Sequence, residues 1–352
     1  MTKQLNYHDK LDIENTLKLR NMLNEELPEF CKEFFRAIEA TTSSRTRIAY
    51  AYDLTVFFNY IKNNNPIYSK MEIKDFPIDI MDNLQVVDIE EYLEYVKVYS
   101  KDENIHTNRE TGIKRKLSSL KSFYNYYFNN QLIKDNPAAK IKVPKLHEKE
   151  IVRLDTNEVA DLIDVVESGK GLTDSQLAYH EKTKLRDVAL ITLLLGTGIR
   201  VSECVGIDIN DIDFEKTGIK IRRKGGYESI IYFGDEVEDA LHAYLEQRKT
   251  MHPAAGHEDA LFLSIQNKRL SVRSVENLVK KYSSQVTQLK KITPHKLRST
   301  YGTSLYKETG DIYLVADVLG HKDVNTTRKH YAAQEDERKW KARNAVKLRK
   351  DD

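Results

Sequence analysis

The sequence predicts a mainly α-helical chain with a small antiparallel β-sheet, an α+β class split into two domains. Three observations predict it. Apolar residues recur at helical spacing behind capping signals over most of the chain. The period changes to alternation only between about 212 and 233, on either side of a Lys-Gly-Gly turn. At 352 residues and 40.9 kDa, the chain exceeds what one core usually organises. Hydrophobic residues at 40% suffice for packed cores, and charged residues at 31% with a net charge of +2 exclude a uniformly basic protein. Affinity for nucleic acid would therefore have to come from local patches. Cys31 and Cys204 fall in different halves without CxxC or zinc-ligand spacing, so neither a disulfide framework nor a metal centre is expected, and a reduced cytosol fits. The N-terminus lacks an apolar signal region, and the longest apolar run, 188–195, is too short to cross a bilayer, so no membrane partner is expected.

Taken in order, residues 1–26 are polar and of mixed charge and read as an N-terminal extension. From 27 to 148 the pattern predicts an all-helical domain of four to five helices. Ile48, Leu54, Phe57, Phe58 and Ile61 share one helix face until Asn-Pro at 65–66 stops it. Asp88 with Glu91, and Thr107 with Glu110, read as capping boxes, the second ahead of Ile113, Leu117, Leu120, Tyr124 and Tyr127. This last helix carries Lys114, Arg115, Lys116 and Lys121. A run of cations reads equally as a solvated face or as a stripe tracking phosphates. The exposed segment VPKLHEKE at 143–150 marks the domain boundary.

The second domain, 149–352, opens with a helix capped at Asp155, then a polar loop over 168–184. The apolar helix LRDVALITLLLGTGIR at 185–200 ends in a Gly-x-Gly turn that presents Arg200. Val201 in the sixth position, where a third glycine belongs, and an apolar run too long for one strand argue against a dinucleotide loop. Arg200 has an alternative, pairing with Glu203. Alternation over 212–214, 218–223 and 229–233 predicts the sheet, with Lys224 at a hairpin tip, a place where a lysine is ordinarily solvent-facing. Helices are expected again at 236–249 and 271–283.

In TPHKLRSTYGTSLYKETGDIYLVADVLGHKDVNTTRKHY, residues 293–331, Thr293 and Pro294 start a helix that sets His295 and Arg298 on one face. Gly310 and Asp311 stop it and cap the next helix, and Gly320 ends that one beside His321. Asn325 caps a further turn that delivers Tyr331. Cationic and hydrogen-bonding groups converging on one hydroxyl suit phosphoryl transfer, because charge builds on the non-bridging oxygens in the transition state.

GTGIRVSE, a hairpin RKGG, TPHKLRST, LGHKD and a downstream tyrosine, in that order over about 185–331, resemble the catalytic domain of the tyrosine recombinases, the phage-integrase or Xer-like family. The helical first domain is similar to that family's core-binding domain. The resemblance implies a C-shaped clamp on duplex DNA and a catalytic set of Arg200, Lys224, His295, Arg298, His321 and Tyr331, with no cofactor and no metal. Arg200 and Arg298 would hold the scissile phosphate with His295 and His321, Lys224 would protonate the departing 5′ oxygen, and Tyr331 would form a 3′-phosphotyrosyl bond. Tyr331 stands one position further from His321 than is common in the family, and Ser299 replaces a frequent histidine. The implied partners are double-stranded DNA bearing an inverted-repeat-like site and three further copies of the chain. A tetramer would form in the synapse through the C-terminal tail and resolve a Holliday junction. A second recombinase or accessory proteins are further candidates, and the implied location is the cytoplasm, on the nucleoid. A type IB-like topoisomerase and a catalytically silent DNA-binding protein stay open as alternatives.

Overall fold

The computed structural model describes residues 6–101, 103–143, 152–223, 226–321 and 324. The chain separates into two compact units, Met1–Glu148 and Lys149–Asp352.

In the first unit, helices α1 (Tyr7–Glu25), α2 (Cys31–Ala37), α3 (Ser44–Asn64), α4 (Ile80–Asn83) and α5 (Val86–Tyr95) precede a hairpin of β1 (Val98–Lys101) and β2 (Asn104–Thr107). Then come α6 (Glu110–Asn129) and α7 (Pro137–Lys140). Leu54, Phe57, Phe58 and Ile61 of α3 meet Leu117, Leu120, Phe123, Tyr124 and Tyr127 of α6 in one aromatic core. Its rings favour edge-to-face contact, as between Phe34 and Phe123 at 5.1 Å and Phe57 and Tyr92 at 5.0 Å.

Four sequence expectations are corrected here. Within the expected extension 1–26, the described part is not an appendage: α1 lies on α3 and buries Leu19 and Met22 in this core. The unit is not all-helical, because 98–107 forms a hairpin. Its second strand is exposed throughout, so it has no apolar face for alternation to reveal. The box before α5 is formed by Gln85 and Asp88, one turn before the expected pair, and Thr107 lies in β2 rather than capping α6.

The second unit contains α8 (Thr156–Ser168), α9 (Asp174–Thr197), the single turn α10 (Val201–Cys204), strands β3 (Ile212–Asp213), β4 (Gly218–Arg222) and β5 (Glu228–Tyr232), then α11 (Asp235–Lys249), α12 (Val272–Val286), α13 (Pro294–Thr309) and α14 (Ile312–Leu319). The strands pair antiparallel in chain order, with Ile219 opposite Ile231 and Arg222 opposite Glu228. Helix α9 is the spine, touching α8, α11 and α13, which explains why Ala189–Leu194 is buried on every side. It begins eleven residues earlier than expected, since 174–184 is helix rather than loop. That stretch buries only His180 and Thr183, so it carries little periodicity; the readable signal is the Thr173–Gln176 capping box. Buried Asp187 accepts hydrogen bonds from Arg186 and from Tyr282 Oη at 2.7 Å, tying α9 to α12. Among the described residues, no helix is long and apolar enough to cross a membrane.

Candidate active site

The site is assembled at the C-terminal end of α14. Asp311 opens that helix, accepting from the backbone N–H groups of Tyr313 and Leu314, and Gly320 closes it in the left-handed region at φ 61°. The last carbonyls of a helix have no partner within it and carry its negative dipole end. Here three guanidinium groups, from three different parts of the unit, take three successive carbonyls. Arg223 Nη2 donates to Val318 O at 3.0 Å, Arg298 Nη2 to Leu319 O in a short hydrogen bond, and Arg200 Nη2 to Gly320 O at 3.1 Å. His321 follows directly, its backbone N–H donating to Ala316 O.

Each arginine is fixed locally as well. Gly198 ends α9 at φ 61°, and a Cβ there would lie 2.4 Å from the Tyr301 ring, so only glycine allows the chain to turn under α13. The freed Gly198 carbonyl accepts from Arg298 Nη1 at 2.6 Å. Arg200 caps α10. Buried Glu203 accepts the Arg200 backbone N–H at 2.8 Å on one oxygen and Arg200 Nη1 at 2.8 Å on the other, so the Glu203 pairing expected from sequence is present. His295 and Arg298 lie one turn apart on α13, whose first turn carries Pro294 as expected. His295 is exposed, Arg298 is buried, and a third of the Arg200 side chain reaches solvent.

Two other nucleophile types sit against this cluster, and neither is poised. Burial, reinforced by the Glu203 charge, pushes the Cys204 thiol up to about 12. Burial also raises Tyr301. Both therefore stay protonated at neutral pH. Among the described residues, no group of three or more His, Cys, Asp or Glu could hold a metal ion.

Of the six residues expected to be catalytic, the structure brings Arg200, Arg298 and His321 together and puts His295 on the Arg298 helix. Lys224 and Tyr331 lie outside the described residues. Sequence reasoning missed Arg223, although the signal existed. Buried Ile219 and Ile221 alternate inward along β4, and Arg223 continues that two-residue register as a charged residue in an apolar place.

The basic stripe on α6 fares differently. Lys116 is 5% exposed and its Nζ lies 3.2 Å from Oδ1 of buried Asp53, which also accepts from Arg115 Nη1 and Ser119 Oγ. Its reading as a phosphate contact is corrected: an ammonium already buried against a carboxylate is committed to the core. Lys121 Nζ donates to the carbonyls of Ile141 at 2.7 Å and Ala139 at 3.3 Å, holding the segment after α7. Arg115 is exposed while paired with Asp53, and Lys114 is half-buried.

The sequence profile of the phage integrase family matches residues 152–338. The chain is 33% identical over 313 residues to the tyrosine recombinase XerC of Caldanaerobacter subterraneus subsp. tengcongensis, covering 86% of this chain and 81% of that one. It is 29% identical over 343 residues to the tyrosine recombinase XerS of Streptococcus sanguinis, covering 90% and 95%. Among solved structures, the XerH site-specific recombinase bound to a palindromic difH substrate shares the fold with a TM-score of 0.65 at 19% identity, over 97% of this chain and 90% of that one. With a profile match over more than half its length, and an arginine cluster where the GTGIRVSE and TPHKLRST segments converge, the chain belongs to the phage integrase family and is a tyrosine-type site-specific DNA recombinase.

Proposed function

We propose that the end of α14 is the phosphate seat of a strand-exchange reaction, and that the convergence of Arg200 and Arg298 on it is the observation that carries this reading. Two guanidinium groups held by fixed carbonyls are preorganised donors. They meet the charge that develops on the non-bridging oxygens without reorganising at the moment of reaction. His321 and His295 complete the clamp. Tyr331 Oη attacks phosphorus as its proton passes to His295. The P–O5′ bond breaks with its electron pair on O5′, which takes a proton from Lys224. The products are a 3′-phosphotyrosyl bond and a free 5′ hydroxyl. The covalent link retains the phosphodiester energy, so religation requires neither ATP nor metal.

On this reading the helical residues 27–148, together with α1, form the core-binding domain, and 149–352 the catalytic domain. Lys114 and Arg115 remain as the candidate DNA contacts of α6. The substrate is duplex DNA with an inverted-repeat-like site, bound by four protomers that exchange strands through a Holliday junction. The tail at 335–352, with Trp340, Val346 and Leu348 among basic residues, docks on a neighbouring protomer. A second recombinase or accessory proteins join the synapse, and the reaction takes place in the cytoplasm on the nucleoid.

Selection of bound duplexes from a random-sequence pool supplies the site for a test. On that site, nicked to trap the product and held in EDTA, the wild type should form an SDS-resistant adduct. Arg200→Ala and Arg298→Ala should each slow its formation by about 10²–10³-fold, the usual cost of removing one oxyanion donor. An adduct that EDTA abolishes, or rates unchanged in both variants, would reject the phosphate seat.

A further inference from the structure

We infer that Arg223 is a positioning residue: it locks the β4–β5 hairpin against the C-terminus of α14, and through this contact it supports the proposed proton donation by Lys224, the next residue in the chain. Its backbone is fixed at the neck of the hairpin. The Arg223 N–H donates to Tyr227 O at 2.9 Å, and its carbonyl accepts from Gly226 at 3.0 Å. Its side chain crosses to α14, where Nη2 donates to Val318 O and the guanidinium lies directly against Gly320, so close that a Cβ on Gly320 would overlap Nη1 at 1.9 Å. One residue thus joins the strand that leads into Lys224 to the helix end that leads into His321.

Stability alone does not account for an arginine here. Arg223 is 6% exposed and, among the described residues, no ion pair holds it and its buried Nη1 finds no hydrogen-bond partner. A buried guanidinium without a carboxylate and with an unused N–H is a cost to the fold. An aliphatic residue continuing the inward row of Ile219 and Ile221 would avoid that cost. Arginine does what an aliphatic chain cannot: it is long enough to reach the second element and gives a directional bond on arrival. Arg200 and Arg298 bond the next two carbonyls, so the Val318 contact places the hairpin on the same rigid ladder of acceptors as the phosphate clamp. Preorganisation of this kind is what keeps an acid group within proton-transfer distance of a leaving oxygen.

This inference rests on the proposed roles of Lys224 and Tyr331, and its test separates the two. The substrate is the selected site with sulfur in place of the bridging 5′ oxygen at the scissile bond. A thiolate leaves without a proton, because thiols are far stronger acids than alcohols. On ordinary DNA, Arg223→Ala should form adduct about 10- to 100-fold more slowly than wild type, the range expected when general-acid catalysis is impaired but not removed. On the sulfur substrate its rate should return to within about 3-fold of wild type, as should that of Lys224→Ala. Arg200→Ala, which lacks a phosphate donor, should be slow on both. A defect of equal size on both substrates, or none on either, would overturn the positioning role. If Arg223→Ala loses its cooperative thermal transition, the same ratio is read from Arg223→Lys, which keeps the charge and the buried stem. Failure of the wild type to form adduct on ordinary DNA would count instead against the proposed function.

Discussion

Glu203 is the residue on which the geometry of Arg200 depends most. One carboxylate oxygen caps α10 and the other holds Nη1, which leaves the remaining face of the guanidinium toward solvent. A Glu203→Gln variant keeps an oxygen for the cap but loses the charge-assisted bond. Its melting temperature should stay within a few degrees of wild type. Adduct formation should fall on the order of 10-fold, with DNA affinity nearly unchanged, because the lost order matters most when charge develops on phosphate. Comparing single-turnover cleavage with equilibrium binding checks this; equal losses in both would show that Glu203 only supports substrate binding. At this scale the sequence was legible in placement: the motifs that carry Arg200, Arg298 and His321 meet at the end of α14, and His295 lies on the Arg298 helix. It misled at Lys116. That lysine lies four residues before Leu120 and seven before Phe123, on the buried row of α6, and its charge hid the helical spacing that sends it inward.

Helix α14 shows how a short element can organise a site. It spans only eight residues, yet its last two carbonyls and that of its C-cap Gly320 orient three arginines. Gly320 makes this geometry accessible twice over, by its positive φ and by leaving room for Arg223. Replacing it with alanine should cost about 1 kcal/mol for the left-handed backbone alone, plus the displacement of Arg223. Gly320→Ala should therefore melt a few degrees lower and lose more cleavage than its lost stability explains, as read from adduct formation well below the melting point. Wild-type cleavage in that variant would mean that Arg223 can move without consequence. The starts and stops of α13 and α14 were legible from Thr293, Pro294, Gly310, Asp311 and Gly320, because caps are local chemistry. The β1–β2 hairpin was not, and the early start of α9 was legible only in its Thr173–Gln176 capping box. Both present mostly polar residues to solvent, and hydrophobic periodicity carries no information there.

Across the whole molecule, the two units differ in what they contribute. Met1–Glu148 is an aromatic core closed by α1, whose buried Leu19 and Met22 make it part of the fold rather than a tail. Lys149–Asp352 carries the arginine cluster, built from Arg200, Arg223, Arg298 and the end of α14, segments spread over 120 residues of the chain. The order of the motifs along the chain announced the chemistry, but their convergence is a product of tertiary packing that no local pattern encodes. Under the proposed function, this cluster serves a covalent reaction of Tyr331 with DNA. The most direct measurement is a denaturing pull-down of protein-bound DNA from host cells expressing wild type or Tyr331→Phe, with sequencing of the attached fragments. Fragments that are focused on one locus and present only with the wild type are the predicted result. Adducts that persist in Tyr331→Phe, or none from a wild type that still binds DNA, would contradict it.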